Sequence, residues 1–175
     1  MARIAVIGGT GYAGRHIVAE AVERGHTVVS VARSIPGERV PGATYVEGTL
    51  LDAPSLVAEL QGVDVVVSTV PARGDMEGLV RPAVAELVAA LPETVRVGVI
   101  GGAGGSLSAP GGPRVVDLPS FTEEYKPEAF EAIGILEDLE ATPASHQYPT
   151  ANRSRRCRGF SISSMTATAR SGPEM

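Results

Sequence analysis

Between an apolar run, Arg3 to Ile7, and a segment with helical spacing that begins at Tyr12 lies a turn made largely without side chains: Gly8-Gly9-Thr10-Gly11-Tyr12-Ala13-Gly14. The pattern G-x-G-x-x-G is present as Gly9, Gly11 and Gly14, and G-x-x-G-x-x-G as Gly8, Gly11 and Gly14. Both registers make the same physical demand. One glycine allows a tight exit from the strand, one lets the backbone approach a ligand, and Gly14 lets the following helix lie close to the sheet. A helix that starts here offers unpaired N–H groups and the positive end of its dipole to an anion. A strand before the turn and a helix after it are the context in which such glycines cradle the pyrophosphate of a dinucleotide, NADP(H) or NAD(H).

The rest of the chain repeats this alternation. Thr27 to Ala32, Ala43 to Glu47, Asp64 to Thr69 and Val95 to Ile100 read as further strands. Tyr12 to Arg24, Pro54 to Leu60 and the apolar series Leu79, Val80, Ala83, Val84, Leu87, Val88 and Leu91 read as helices. Ser34 to Gly42 is too rich in Pro and Gly for a helix. Strands apolar on both faces and separated by helices predict an α/β fold: a Rossmann-type doubly wound parallel sheet. Ligands of such sheets lie beyond the carboxyl ends of the strands, which draws attention to the loops after Ile7, Ala32, Thr69 and Ile100. Residues 101 to 123 form a long Gly/Pro-rich loop, expected to be functional or mobile. A last helix starts at Pro127 and ends near Thr142-Pro143, with Glu128 and Glu131 near its positive end and Phe130, Ile133, Leu136 and Leu139 on its apolar face.

The choice of dinucleotide falls at the end of the second strand, where NAD-binding domains place an acid about 20 residues past the glycines. This chain reads Ala32-Arg33-Ser34 there, an arginine with no acid beside it. Arg33 can pair with a 2'-phosphate, so NADP(H) is expected over NAD(H).

The residues GGTGYAG, the strand-end Arg33, Asp64 to Ala72 (DVVVSTVPA) and GGAGGSLSAPGG followed by FTEEYKPEAFE give the chain a family likeness. Over residues 1 to 142 it resembles the atypical short-chain dehydrogenase group of NAD(P)H-binding proteins, which includes biliverdin-reductase-B/flavin-reductase-like and NmrA-like families. The resemblance implies that Thr10, Tyr12 and Ala13 contact the pyrophosphate, and that Val70-Pro71-Ala72 and Gly101-Gly102-Ala103 border the nicotinamide. The chain departs from the group at Gly48-Thr49-Leu50-Leu51-Asp52, where an acid near the adenine often follows the glycine. It departs again at the C-terminus, where the group continues into another strand and a substrate-side segment.

A full proton relay of the short-chain dehydrogenases needs Tyr-x-x-x-Lys, the lysine lowering the tyrosine pKa. The only lysine is Lys126, and four residues before it stands Thr122. Tyr125 is left as a weak candidate acid, against the plainer reading of a loop tyrosine beside Phe121. Chemistry without a relay suits hydride transfer to a flavin or quinone, whose reduced form is protonated from water. The alternatives are an NmrA-like protein that senses NADP(H) without turnover, and an inactive shortened member of the group.

Composition narrows the setting. A 175-residue chain, 43% hydrophobic and 20% charged, fits one ordinary globular domain, placed at residues 1 to 143. No apolar run reaches the roughly 18 residues of a membrane span, and the first strand starts near Met1, so no membrane association and a cytoplasmic location are expected. The single Cys157 cannot form an internal disulfide, and His16, His26 and His146 lack zinc-ligand spacing, so no metal is expected. Residues 144 to 175 carry Arg153, Arg155, Arg156, Arg158 and Arg170 against Glu174 and hold no Val or Leu. That tail is +4 in a chain of net charge -5, leaving -9 for the rest. It reads as a disordered or out-of-frame terminus, so that the sheet is incomplete at its C-terminal edge, or else as a basic arm. Without aromatic interleaving, the tail gives no organised nucleic-acid surface, and no nucleic-acid partner is expected.

Overall fold

A computed structural model of the protein describes residues 1–142. The expectations for residues 144 to 175, including a missing sixth strand and the lone Cys157, lie outside the described residues. Five parallel strands, β1 (Arg3–Ile7), β2 (Thr27–Ala32), β3 (Ala43–Glu47), β4 (Val65–Ser68) and β5 (Arg96–Val99), stand in the order β3-β2-β1-β4-β5. This is a Rossmann-like α/β sheet. The first strand sits at its centre, so the glycine turn that follows β1 opens at the point where the strand order reverses, the place for ligands in such folds.

Alternation of side chains across the pleat sends Val6 and Val28 to one face, where α1 (Tyr12–Glu23) covers them with Val18 and Ala21. Ala5, Ile7, Val29, Val31, Val66 and Val97 point the other way into the larger core. That face is covered by α2 (Ala53–Glu59) and α3 (Val80–Ala90), with Ile135 and Leu139 of α4 (Lys126–Ala141) joining the cluster. Burial of branched side chains on both faces makes β1 and β2 the most protected strands, each such side chain contributing about 1.5–3 kcal/mol relative to exposure.

Helix ends follow local chemistry. Gly25 (φ +78) closes α1 by donating to the carbonyl of Val22 at 2.8 Å, while His26 N–H reaches Ala21 at 3.0 Å, a left-handed cap that a residue with a Cβ adopts only under strain. At α2, Asp52 accepts from Ser55 N–H at 3.2 Å and Pro54 stands in the first turn.

Two sequence expectations change. The apolar face predicted for the last helix included Phe130 and Leu136, yet these are 52% and 37% exposed, and Ala129, Ile133, Gly134 and Ile135 are the buried set. The reason is close approach: a Cβ added at Gly104 would stand 2.8 Å from Cβ of Ala129, and Arg81 lies across Gly134. Small residues therefore mark the places of closest contact, at Ala129 and Gly134, beside the buried Ile133 and Ile135. The loop 101–123 is also partly tied down. Val116 is buried in a small cluster with Ala129 and Ile133, Phe121 packs on it, and Leu107 bridges to Arg114.

Candidate functional site

The backbone of the β1–α1 turn is fixed from below. Gly8 and Gly9 N–H both donate to the carbonyl of Val31, at 2.8 and 3.1 Å, and Gly11 N–H returns to Gly8 at 2.9 Å. Gly8 has φ +80, the left-handed region open to glycine. A Cβ on Gly9 would lie 2.3 Å from Ser30 Oγ, and one on Gly14 would lie 2.2 Å from the Gly8 carbonyl oxygen. Three of the four glycines are thus required by space or dihedral angle. Thr69, at the end of β4, fastens the turn from the side: its hydroxyl lies 3.0 Å from the carbonyls of both Ile7 and Gly8 and donates to them.

The upper surface of the turn is bare backbone. Gly11 caps α1 in extended geometry with no side-chain bond, and the first helical bond is Arg15 N–H to Gly11 at 3.0 Å. The N–H groups of Tyr12, Ala13 and Gly14 precede that bond, so no earlier turn of the helix accepts them. Thr10, Gly11 and Tyr12 are exposed, Tyr12 at 76%, with Arg15 over its ring and His16 against its edge. A cradle of free amides, kept open by glycines that no side chain can replace, fits a diphosphate.

Other predicted residues border the same end of the sheet. Val70 reaches within 3.4 Å of the Cβ position of Gly8, Ala72 is buried, and Pro71 is exposed between them. Gly101 and Gly102 follow β5; both are exposed, and an added Cβ at either meets nothing within 4 Å. Tyr125 lies apart in the turn before α4, 56% exposed, and its hydroxyl has no hydrogen-bond partner among the described residues. Lys126 pairs with Glu123 at 2.5 Å.

Arg33 departs from its expected setting. The sequence shows no acid beside it, but the fold brings one: Asp75, 42 residues on, hydrogen-bonds the Arg33 guanidinium. Only the β4–α3 connection folding over the end of β2 creates that pair, and nothing in the local sequence signals it. Glu131 was likewise expected to serve its own helix. It reaches across to α3 instead, accepting from Gly78 N–H at 2.6 Å and Arg81 N–H at 2.8 Å. Thr69, by sequence simply the last residue of a strand, supplies a hydroxyl that no sequence pattern signals. A cleft of about 420 Å³ between α3 and α4 is lined by Arg81, Val88, Asp138 and Leu139 and by no residue of the glycine turn. Sheet topology directs the ligand to the carboxyl ends of the strands instead. No group of metal-binding side chains occurs among the described residues, and no described helix is long and apolar enough to cross a membrane.

Comparison with known proteins agrees with this geometry. A protein from Streptococcus pneumoniae described as a candidate NADH-flavin reductase is 32% identical, with a TM-score of 0.68 over 79% of this chain and 66% of that one. YwnB of Bacillus subtilis, itself uncharacterised, is 31% identical over 144 residues, 80% of this chain and 66% of its own. The maize isoflavone reductase homolog IRL is 39% identical over 77 residues, 38% of this chain and 25% of its own length. This chain therefore spans about a quarter to two thirds of these relatives. The NAD(P)H-binding family matches residues 8–133, from the first glycine of the turn into α4. On that match, and on a nucleotide-shaped turn at the centre of a β3-β2-β1-β4-β5 sheet, the chain belongs to the NAD(P)H-binding family of Rossmann-like proteins.

Proposed function

We propose that this protein binds NADPH and passes its hydride to a flavin or quinone. The observation that carries the reading is the glycine turn from Gly8 to Gly14, which leaves the N–H groups at the start of α1 free above it. In this reading the N–H groups of Thr10, Tyr12 and Ala13 hold the pyrophosphate, and Gly14 lets α1 approach closely enough to aim its dipole at it. Arg33, at the end of β2, takes the 2'-phosphate and gives the preference for NADPH over NADH. Val70, Pro71, Ala72, Gly101 and Gly102 border the nicotinamide, which supplies a hydride from C4 when bound.

The chain has little to add beyond alignment. Tyr125 stands without a lysine partner, since Lys126 is paired with Glu123. An acceptor that takes its proton from water needs no relay, so proximity and orientation carry the rate. The similarity to the pneumococcal protein supports a flavin as acceptor. A cytoplasmic setting accords with a single cysteine in 175 residues.

A second reading is a sensor of the NmrA-like kind, favoured by the same lack of a partner for Tyr125. The separating experiment is steady-state oxidation of NADPH and NADH with FMN, riboflavin and a simple quinone. Turnover with any of them supports the reductase. Tight nucleotide binding without oxidation of any acceptor supports the sensor, and weak binding to both nucleotides supports a shortened, inactive member of the family.

A further inference from the structure

Arg33 and Asp75 are both 67% exposed, so their pair does little to hold the fold together. Its position matters more. Arg33 leaves the carboxyl end of β2, where the adenosine ribose of a bound dinucleotide comes to rest. Asp75 is carried there by a single helical turn, Gly74–Met76, whose placement is set from both sides. Met76 is buried in the main core, Gly78 N–H is held by Glu131, and Gly74 takes φ +63. The neighbouring Arg73 turns away, 4.0 Å from Glu128. The acid at the ribose end of the site is thus delivered by the fold and faces the arginine.

We infer that Asp75 is a specificity-determining residue that occupies Arg33 in place of a 2'-phosphate and so reduces the protein's discrimination in favour of NADPH. The inference rests on the reading of Arg33 as the phosphate ligand. Binding NADPH must exchange a carboxylate for a phosphate on the same guanidinium, and leaves a carboxylate beside a dianion. Binding NADH disturbs nothing, because a ribose hydroxyl does not compete for the ion pair. Asp75 therefore weakens one nucleotide selectively, by an electrostatic term that salt screens.

The test is calorimetry on the full chain with NADPH, NADH, 2',5'-ADP and 5'-AMP, for the wild type and the Asp75→Asn and Arg33→Ala variants. D75N is isosteric and exposed, and its thermal midpoint is expected to match the wild type. It should bind NADPH and 2',5'-ADP about tenfold more tightly at low salt, with a gain that shrinks at high salt, while NADH and 5'-AMP change less than about twofold. An unchanged NADPH-to-NADH ratio in D75N overturns the inference. So does weaker NADH binding by D75N, which would make Asp75 a ribose ligand. If R33A weakens NADPH while D75N has no effect, only the inference fails. Should R33A bind NADPH as tightly as the wild type, the reading of Arg33 fails and the inference goes with it.

Discussion

Gly14 lies so close to Gly8 that a Cβ on Gly14 would stand 2.2 Å from the Gly8 carbonyl oxygen and 2.7 Å from Cα of Gly9. The atoms in the way are backbone, fixed by their bonds to Val31. Gly14→Ala must therefore push α1 off the turn. A loss of about 3 kcal/mol in unfolding free energy is expected, together with loss of nucleotide binding. Urea denaturation and calorimetry with NADPH check it. A G14A protein of wild-type stability would show that helix and turn are not in this contact.

The glycines after β5 behave differently. Gly101 and Gly102 meet nothing within 4 Å of an added Cβ, and neither has a positive φ. Alanine at either position should change stability by no more than about 0.5 kcal/mol. If they border the nicotinamide, the same substitutions weaken NADPH binding or slow its oxidation. G101A and G102A proteins with unaltered stability, affinity and turnover would remove both from the site.

The succession of strands and helices and the glycine turn are legible in the sequence because both depend on local patterns. The strands are short apolar runs rich in branched residues, and each of Gly8, Gly9 and Gly14 answers to a neighbour on β1, on β2, just after β4 or within the turn. What could not be read depends on side chains meeting over a distance. Asp75 reaches Arg33 across 42 residues, and Glu131 reaches Gly78 across 53. Phe130 and Ala129 show a subtler failure. Size suggested that Phe130 would be buried, but the passage of the Gly104 backbone leaves room at the helix face only for the methyl group of Ala129.

Ser30 and Ser68 are fully buried beside β1, and neither hydroxyl has a hydrogen-bond partner among the described residues. Thr69, the next residue, bonds two carbonyls with its own. A buried hydroxyl with no partner loses its hydration for no return. Ser68→Ala should raise stability by about 1 kcal/mol, whereas Thr69→Val should lower it by a similar amount. Denaturant midpoints of the two variants distinguish the cases, and a destabilised S68A would mean that its hydroxyl is bonded after all.

Glu131 supplies from α4 what the start of α3 lacks, since Leu79, at the cap of that helix, offers no side-chain bond. Its carboxylate takes the N–H of Arg81 in the opening turn and that of Gly78 just before the cap. Glu131→Ala should cost about 1–2 kcal/mol, and Glu131→Gln less, because the amide oxygen retains one acceptor. Because Asp75 lies three residues before Gly78, E131A should also widen the range of positions open to the Asp75 carboxylate. Faster amide exchange over residues 74 to 81 in E131A would register that loosening, and unchanged exchange would count against it.

Arg81 and Asp138 join the same two helices by a paired contact, Nε to Oδ2 at 2.7 Å and Nη2 to Oδ1 at 2.8 Å. The hydrogen bond from Arg81, with its positive charge, holds the Asp138 carboxyl below the usual carboxylate range against a smaller opposing effect of desolvation. The Arg81 pKa is raised by the same bond, above any pH at which the protein is handled. A carboxyl whose folded pKa is depressed contributes stability that is complete above its unfolded value, about 3.9, and is lost as pH falls through the folded value. Asp138→Asn is therefore expected to be less stable than the wild type at neutral pH, with the gap narrowing as pH falls below the unfolded value and gone once Asp138 is protonated in the folded protein. Paired denaturation curves at neutral pH and at about pH 3 test the sign. A gap that stays constant across that interval would show that the carboxylate charge, as distinct from the shape of the side chain, contributes nothing to the contact between α3 and α4.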